Sequence, residues 1–150
     1  MLLAAAALAG ACSLLTPAEV ASVQGEKPTK VQQKKTADDT SQCLFSLPTA
    51  ANFVLAEVTQ GPRAAQLVEH MRLAAAVEGE ESGAFDAPAV ERVEGLGDEA
   101  FWAEGVHQGA VYVRHGQTLL RVSLGGDESK EAKLKKLRLL ASKALGRLPK

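Results

Sequence analysis

Aromatic residues are scarce in this chain, with one Trp, one Tyr and four Phe among 150 residues. So few rings leave little with which to stack on bases or sugars. An excess of one charge is missing too, because 17 Lys and Arg stand against 18 Asp and Glu, a formal charge of −1. A domain that grips nucleic acid normally carries a basic excess, so this balance argues against that partner. The sequence has no Gly-rich phosphate loop, no Gly-x-Ser-x-Gly elbow and no His-Glu-x-x-His, the common signatures of nucleotide, serine-hydrolase and zinc-protease chemistry. Histidines and cysteines form no cluster with zinc-ligand spacing, so neither metal nor cofactor is expected.

What remains is the composition of one ordinary globular domain, 46% hydrophobic. A chain of this length buries roughly 70% of the surface it exposes when unfolded and can fold without a metal or a dense disulfide net. The first residues read differently. From Met1 to Ala11 there is no charged side chain, and Leu2 to Ala9 has the character of the apolar centre of a secretory signal. It is too short to span a bilayer, and Ala7-Leu8-Ala9 supplies the small-x-small pattern before a cleavage point. Residues 1–9 are therefore expected to be a signal peptide and 10–150 a single domain that is exported to the periplasm, the cell exterior or the outer face of a membrane. The basic residues that usually precede such a segment are missing. Either the true start lies upstream or the run is a buried N-terminal helix.

Export changes how Cys12 and Cys43 read, because an oxidising compartment lets two thiols pair where the cytosol keeps them reduced. A bridge would close a loop of about 30 residues and contribute about 3–4 kcal/mol by chain entropy. A second reading takes Leu8 to Cys12 as a lipobox, with Cys12 lipidated as a membrane tether, although Leu8 stands four residues before the cysteine where three is usual. Two unconnected thiols are the third.

Along the domain, Thr16-Pro17-Ala18-Glu19 has the form of a capping box with proline at the first helical position, Leu15 and Val20 stand as a hydrophobic staple, and Gly25 offers a left-handed stop. A short helix is expected from Pro17 to Gln24. Lys27 to Lys35 reads as an edge strand or exposed arm, residues 36–40 as a turn, and Gln42 to Leu47 with Asn52 to Thr59 as a hairpin. After Gly61-Pro62, the apolar spacing of Ala64, Leu67, Val68, Met71, Ala74 and Ala75 predicts a helix packed on a sheet, with His70 on its solvated side. Glu78 to Asp86 is an acidic connection without the order of a calcium loop. Val90 to Val93, Ala100 to Val106, Ala110 to Arg114 and Thr118 to Leu124 follow as strands, with turns at His107-Gln108-Gly109 and His115-Gly116-Gln117. The last segment is a helix with Asp127 as its cap, a buried stripe from Leu134 through Leu137, Leu140 and Ala144 to Leu148, and a basic face of Lys135, Lys136, Lys143 and Arg147. That face is either solvated or set against anionic lipid. The expected fold is α+β, one antiparallel sheet of five to seven strands with two longer helices and one short N-terminal helix; the element order hints at a duplicated unit.

Cys12-Ser13-Leu14-Leu15-Thr16-Pro17-Ala18-Glu19-Val20, followed by Cys43 opening a strand, resembles a family of bacterial secreted proteins and lipoproteins of uncharacterised function, best populated in actinobacteria. Gly95-Leu96-Gly97-Asp98-Glu99-Ala100-Phe101-Trp102, the strand Tyr112 to Gly116 and the final amphipathic helix are similar to it as well. In that family the cysteine before Leu-Leu-Thr-Pro is distinct from a lipobox cysteine farther upstream, so the resemblance implies a Cys12–Cys43 bridge. The chain departs from the family pattern in lacking a linker between signal and domain. The resemblance brings no activity and no catalytic residue.

Function is therefore expected to be non-enzymatic, an envelope domain that binds a protein, peptide or small ligand through its sheet face or through the loop of Gly95, Gly97, Asp98, Glu99, Phe101 and Trp102. The plainer view of that loop is a strand-initiating turn with a half-buried Trp. The alternatives are an envelope hydrolase with a dispersed site and an accessory protein lying on the membrane through its last helix. Intact-mass analysis of the exported protein separates the cysteine readings. Loss of two hydrogens is expected for the bridge, a diacylglyceryl adduct on Cys12 would establish the lipoprotein, and two thiols alkylated without reductant would sink both.

Overall fold

Alternation of apolar and polar side chains gives the sheet of this protein two unlike faces, each covered by a helix. The computed structural model describes residues 10–76, 90–105 and 107–149. Among them are seven strands, β1 (Lys30–Ala37), β2 (Thr40–Ser46), β3 (Val54–Gln60), β4 (Val90–Arg92), β5 (Glu99–Gly105), β6 (Gln108–His115) and β7 (Thr118–Gly125), and three helices, α1 (Pro17–Gln24), α2 (Pro62–Ala76) and α3 (Lys130–Leu145). The strands form one sheet in the order β1-β2-β3-β7-β6-β5-β4, with every neighbouring pair antiparallel. This is the α+β architecture expected from the sequence. The acidic stretch from Glu78 to Asp86 lies outside the described residues.

One face carries the larger core. Cys43 and Phe45 of β2, Val54, Ala56 and Val58 of β3, Leu120, Val122 and Leu124 of β7, Val111 and Val113 of β6, and Trp102 of β5 meet Leu137, Leu140, Ala141 and Ala144 of α3 and Val20 of α1. The opposite face holds a smaller core, in which Ala64, Val68 and Met71 of α2 pack on Phe101 and Leu119. The two long helices therefore lie on opposite faces. A rotation superposing β3 on its antiparallel neighbour β7 would carry both helices to the same face, so the hinted duplication is not a rotational repeat.

Cys12 sits in a single 3-10 turn, Ala11–Ser13, and is bonded to Cys43 of β2 with the Cα atoms 4.8 Å apart. The same turn is held by side chains of the first hairpin, the Ala11 N–H donating to Ser41 Oγ at 3.0 Å and the Cys12 N–H to Gln33 Oε1 at 3.2 Å. One sulfur cannot carry both a bridge and a lipid, so the first two readings of Cys12 exclude each other. Next comes α1 with its full capping box: the Glu19 N–H donates to Thr16 Oγ1, the Thr16 N–H donates to the Glu19 carboxylate, and Gly25 stops the helix at φ 78°.

Three local expectations shift. The turn expected over 36–40 narrows to Asp38 and Asp39, because β1 continues to Ala37 and β2 begins at Thr40. The cap of α3 is Ser129, whose Oγ accepts the Ala132 N–H at 3.2 Å; Asp127 lies too early to reach that turn and instead faces His107. Gln108 and Gly109 belong to β6, leaving His107 at φ 57° to turn the chain.

Gly109 is in the strand for a packing reason. Trp102 is buried, 1% exposed rather than half exposed, and a Cβ built on Gly109 would lie 2.3 Å from the tip of its indole ring. Replacing Gly109 by Val must displace the ring or bend β6, a cost of about 1–3 kcal/mol. Urea unfolding of Gly109→Val followed by Trp fluorescence should show a lowered midpoint and a red-shifted folded spectrum; an unchanged midpoint would show that the ring does not need the gap.

Candidate functional site

Pairing register aligns one side chain from each strand in a row across the face under α2. Lys34 is opposite Gln42, Gln42 opposite Glu57, Glu57 opposite Arg121, Arg121 opposite Tyr112, Tyr112 opposite Phe101, and Phe101 opposite Arg92. Where α2 covers this row the residues are aromatic and closed into the small core. The guanidinium of Arg92 stacks on the Phe101 ring, 5.2 Å from its centroid. Nearer the middle of the sheet the row turns polar. There Arg121 stacks on Tyr112 at 5.6 Å, and Glu57 accepts a 2.5 Å hydrogen bond from Gln42 Nε2.

A cavity of about 180 Å³ opens beside this polar stretch. Thr36, Thr40, Glu57 and Thr59 line it from the first three strands, Arg63 and Leu67 from α2, and Tyr112, Leu119 and Arg121 from β6 and β7. A single glycine, Gly61 at φ 75°, joins β3 to α2, so the first turn of the helix, with Arg63, is set directly over the end of β3. Within the cavity wall the Thr40 and Thr59 hydroxyls hydrogen-bond each other at 3.3 Å.

The cations here are unmatched. Glu57 and Arg121 are direct neighbours in the register, yet Glu57 is held by Gln42 and Arg121 has no carboxylate partner among the described residues. Its Nε is buried and has no hydrogen-bond partner among the described residues, and the same holds for the Oγ of Ser123 two residues along the same face of β7. A buried donor without an acceptor costs about 1–3 kcal/mol. Arg63 likewise has no acidic partner among the described residues.

The loop expected to carry a ligand is held by ion pairs and hydrogen bonds. Glu99 receives Arg72 of α2 through three contacts of 2.7–3.0 Å, Arg92 of β4 at 3.0 Å and Arg114 of β6 at 3.4 Å. Its side chain is 11% exposed, and the hydrogen bonds of Arg72 foremost hold its carboxyl down at about 2. Asp98 accepts the Gly116 N–H at 2.7 Å and lies 3.5 Å from Arg114. Gly97 has φ 54° and leaves no space for a side chain, since a Cβ there would stand 2.6 Å from the Arg114 carbonyl oxygen. Gly95, at φ 82°, is next to the Glu94 carbonyl that accepts from Arg138 of α3 at 2.7 Å. Phe101 and Trp102 point into the two cores on opposite sides of the sheet. Among the described residues, these six join β5 to its surroundings.

The basic face of α3 is also largely engaged. Arg147 grips the Glu19 carboxylate with contacts of 2.5 and 2.9 Å and the Leu14 carbonyl at 2.8 Å, and its hydrogen bonds are the main reason that carboxyl titrates at about 2. Lys136 reaches Gln24 at 2.8 Å and pairs with Glu128. His107 and His115 stand at opposite ends of β6, and no group of three or more His, Cys, Asp or Glu suited to a metal occurs among the described residues.

Sequence reasoning passed over Glu57, Arg63, Tyr112 and Arg121. Arg121 carried a readable signal, since a charged residue between Leu120 and Val122 in a strand covered on both faces has to be accommodated by something. What could not be read was the register that places Glu57 beside it.

No family model matches the chain, and no curated protein matches it. Among solved structures it is similar to a crystal structure of a GTP binding regulator from Thermotoga maritima, at 12% identity over 85% of this chain and 89% of that one, with a TM-score of 0.41. A superposition that loose carries no argument about activity.

The Glu99 cluster makes an acid-stability prediction. Its folded carboxyl titrates near 2 and an unperturbed one near 4.5, so its stabilisation is complete above about pH 5 and is lost as pH falls toward 2. Glu99→Gln leaves three arginines facing a neutral amide and is expected to cost about 1–3 kcal/mol at pH 7, the half-exposed guanidiniums being partly screened. Urea midpoints measured from pH 7 to pH 2.5 should converge between variant and wild type at the acid end; a constant gap would show that the carboxylate charge is not the cause.

Proposed function

We propose that this chain is an exported, non-enzymatic domain of a bacterial cell envelope that binds a small ligand in the cavity between α2 and the middle of the sheet. The carrying observation is Arg121, set in a central strand, lining the cavity, stacked on Tyr112 and without a carboxylate partner among the described residues. A charged side chain converging with other polar groups on a pocket is the starting point for a binding-site reading. The Cys12–Cys43 bridge supports an oxidising location, as does the apolar run of residues 1–9, and the resemblance to secreted actinobacterial proteins agrees with both. Binding rather than catalysis is favoured by the lining itself, in which the Glu57 carboxylate is already hydrogen-bonded to Gln42 and neither Ser, Cys nor His takes part.

Size restricts the ligand. At about 180 Å³ the cavity is smaller than the usual ligand pocket of about 300–1,000 Å³, which favours a small ligand. The purified protein, incubated with a small-molecule extract of the producing cells and desalted, is expected to show a retained adduct by native mass spectrometry. Leu67→Trp, which fills the cavity from the helix side, should lose it. An adduct kept by that variant, or none in the wild type, would place binding elsewhere or dismiss it.

A further inference from the structure

We propose that the cavity selects a small organic acid, a carboxylate on a short apolar body, and that Arg121 is the residue that reads the carboxylate. This rests on the cavity being a ligand site and adds the chemistry of the ligand.

Charge is the first argument. Arg63 and Arg121 against Glu57 leave the lining with one net positive charge, which suits a monoanion. A phosphate monoester carries close to two negative charges at neutral pH and would sit beside the Glu57 carboxylate, the register neighbour of Arg121. Shape is the second. A guanidinium presents a planar fork that matches the two oxygens of a carboxylate. In Arg121 the fork is oriented by the Tyr112 ring and is not occupied by Glu57, which Gln42 holds on the β2 side. The apolar part of the wall is the third, for Leu67, Leu119 and the Tyr112 ring offer a surface to a few methylenes and none to a bare anion. An amine would meet two guanidinium groups against one carboxylate, a net repulsion.

The contrast with Glu99 sharpens the assignment. There three arginines converge on one largely shielded carboxylate, so this fold closes structural ion pairs where it needs them. In the cavity the one lining carboxylate, Glu57, is bonded to Gln42, and Arg121 has no such closure among the described residues.

The test is a titration of the 15N-labelled full chain with butyrate, butylamine and inorganic phosphate, each in a separate series. Butyrate is expected to shift the amides of Thr59, Tyr112, Leu119 and Arg121 saturably, with phosphate and butylamine leaving them in place. Arg121→Lys should weaken butyrate about tenfold by losing the fork, and Arg121→Gln should abolish the response. If those variants fail to fold, Arg63→Gln on the exposed side of α2 provides a second handle, with an expected weakening of about threefold. Equal butyrate affinity in wild type and Arg121→Lys would overturn the role of Arg121. Saturation by phosphate or butylamine in place of butyrate would overturn the ligand class and leave the ligand-site reading standing. Silence from all three would also overturn the ligand class, and the adduct retained from cell extract then decides separately whether the cavity binds anything.

Discussion

The pairing of β3 with β7 is the constraint on which the other features depend. Residues 54–60 and 118–124 are far apart in the chain, yet their ladder joins the first three strands to the last four. Both strands lie in the middle of the sheet, so their alternate side chains divide between two unlike faces. Ala56, Val58, Leu120 and Val122 enter the large core, while Leu119 supports α2 and Glu57 and Arg121 face the cavity. A slip of one residue would turn one strand over against the other, carrying either Glu57 or Arg121 toward the large core and the apolar side chains of that strand out of it. The register that satisfies the core is thus the same register that brings Glu57, Arg121 and Tyr112 into line. Site and core are set by one ladder.

Around that ladder the chain uses two carboxylates as fasteners. Glu19 caps α1 and at the same time receives Arg147 just past the end of α3. Glu99 joins α2, β4 and β6 at the start of β5. Each ties elements that the sheet alone leaves free, and each is mostly shielded from solvent while its arginine partners are more exposed, so the pair keeps its hydrogen bonds without fully desolvating both charges. The disulfide does the comparable task at the N-terminal end, where it adds a covalent tie to the hydrogen bonds that hold a single 3-10 turn on the first hairpin.

Local structure was legible in the sequence wherever the chain signals over a few residues. Thr16 to Glu19 specified both cap and start of α1, the 3.6-residue stripes located α2 and α3, and alternation with turn residues located the later strands. The errors were of one kind. Asp127 has the chemistry of a cap, as Ser129 does, and only the path of the chain after Gly126 decides between them. Gly109 has the chemistry of a turn residue, and only the Trp102 ring overhead explains a glycine inside β6. Arg147 reads as a solvated cation until Glu19, 128 residues away, is found against it. The acidic pair with aromatics at 98–102 drew notice because its members are adjacent in sequence. The cavity residues went unnoticed because they come from β1, β2, β3, α2, β6 and β7 and meet only through the register.

The two arginine environments bear on why charge is present at the centre of the sheet at all. Stability does not require it, since apolar side chains of similar volume replace buried ion pairs in cores at little cost or with a gain. Nor is Arg121 a structural ion pair, because Glu57 stands opposite it in the ladder and bonds to Gln42 instead. A guanidinium with a buried, unpartnered Nε costs the folded state free energy that Leu or Val at the same position would not. A sequence that is locally consistent over much of the chain, from the capping box to the closed cluster at Glu99, breaks its pattern in β7, where Arg121 and Ser123 both carry a buried polar atom without a partner among the described residues. Such breaks collect where a fold is shaped by what it contacts rather than by its own packing. That inconsistency, more than the cavity's dimensions, is what distinguishes the middle of this sheet as a site.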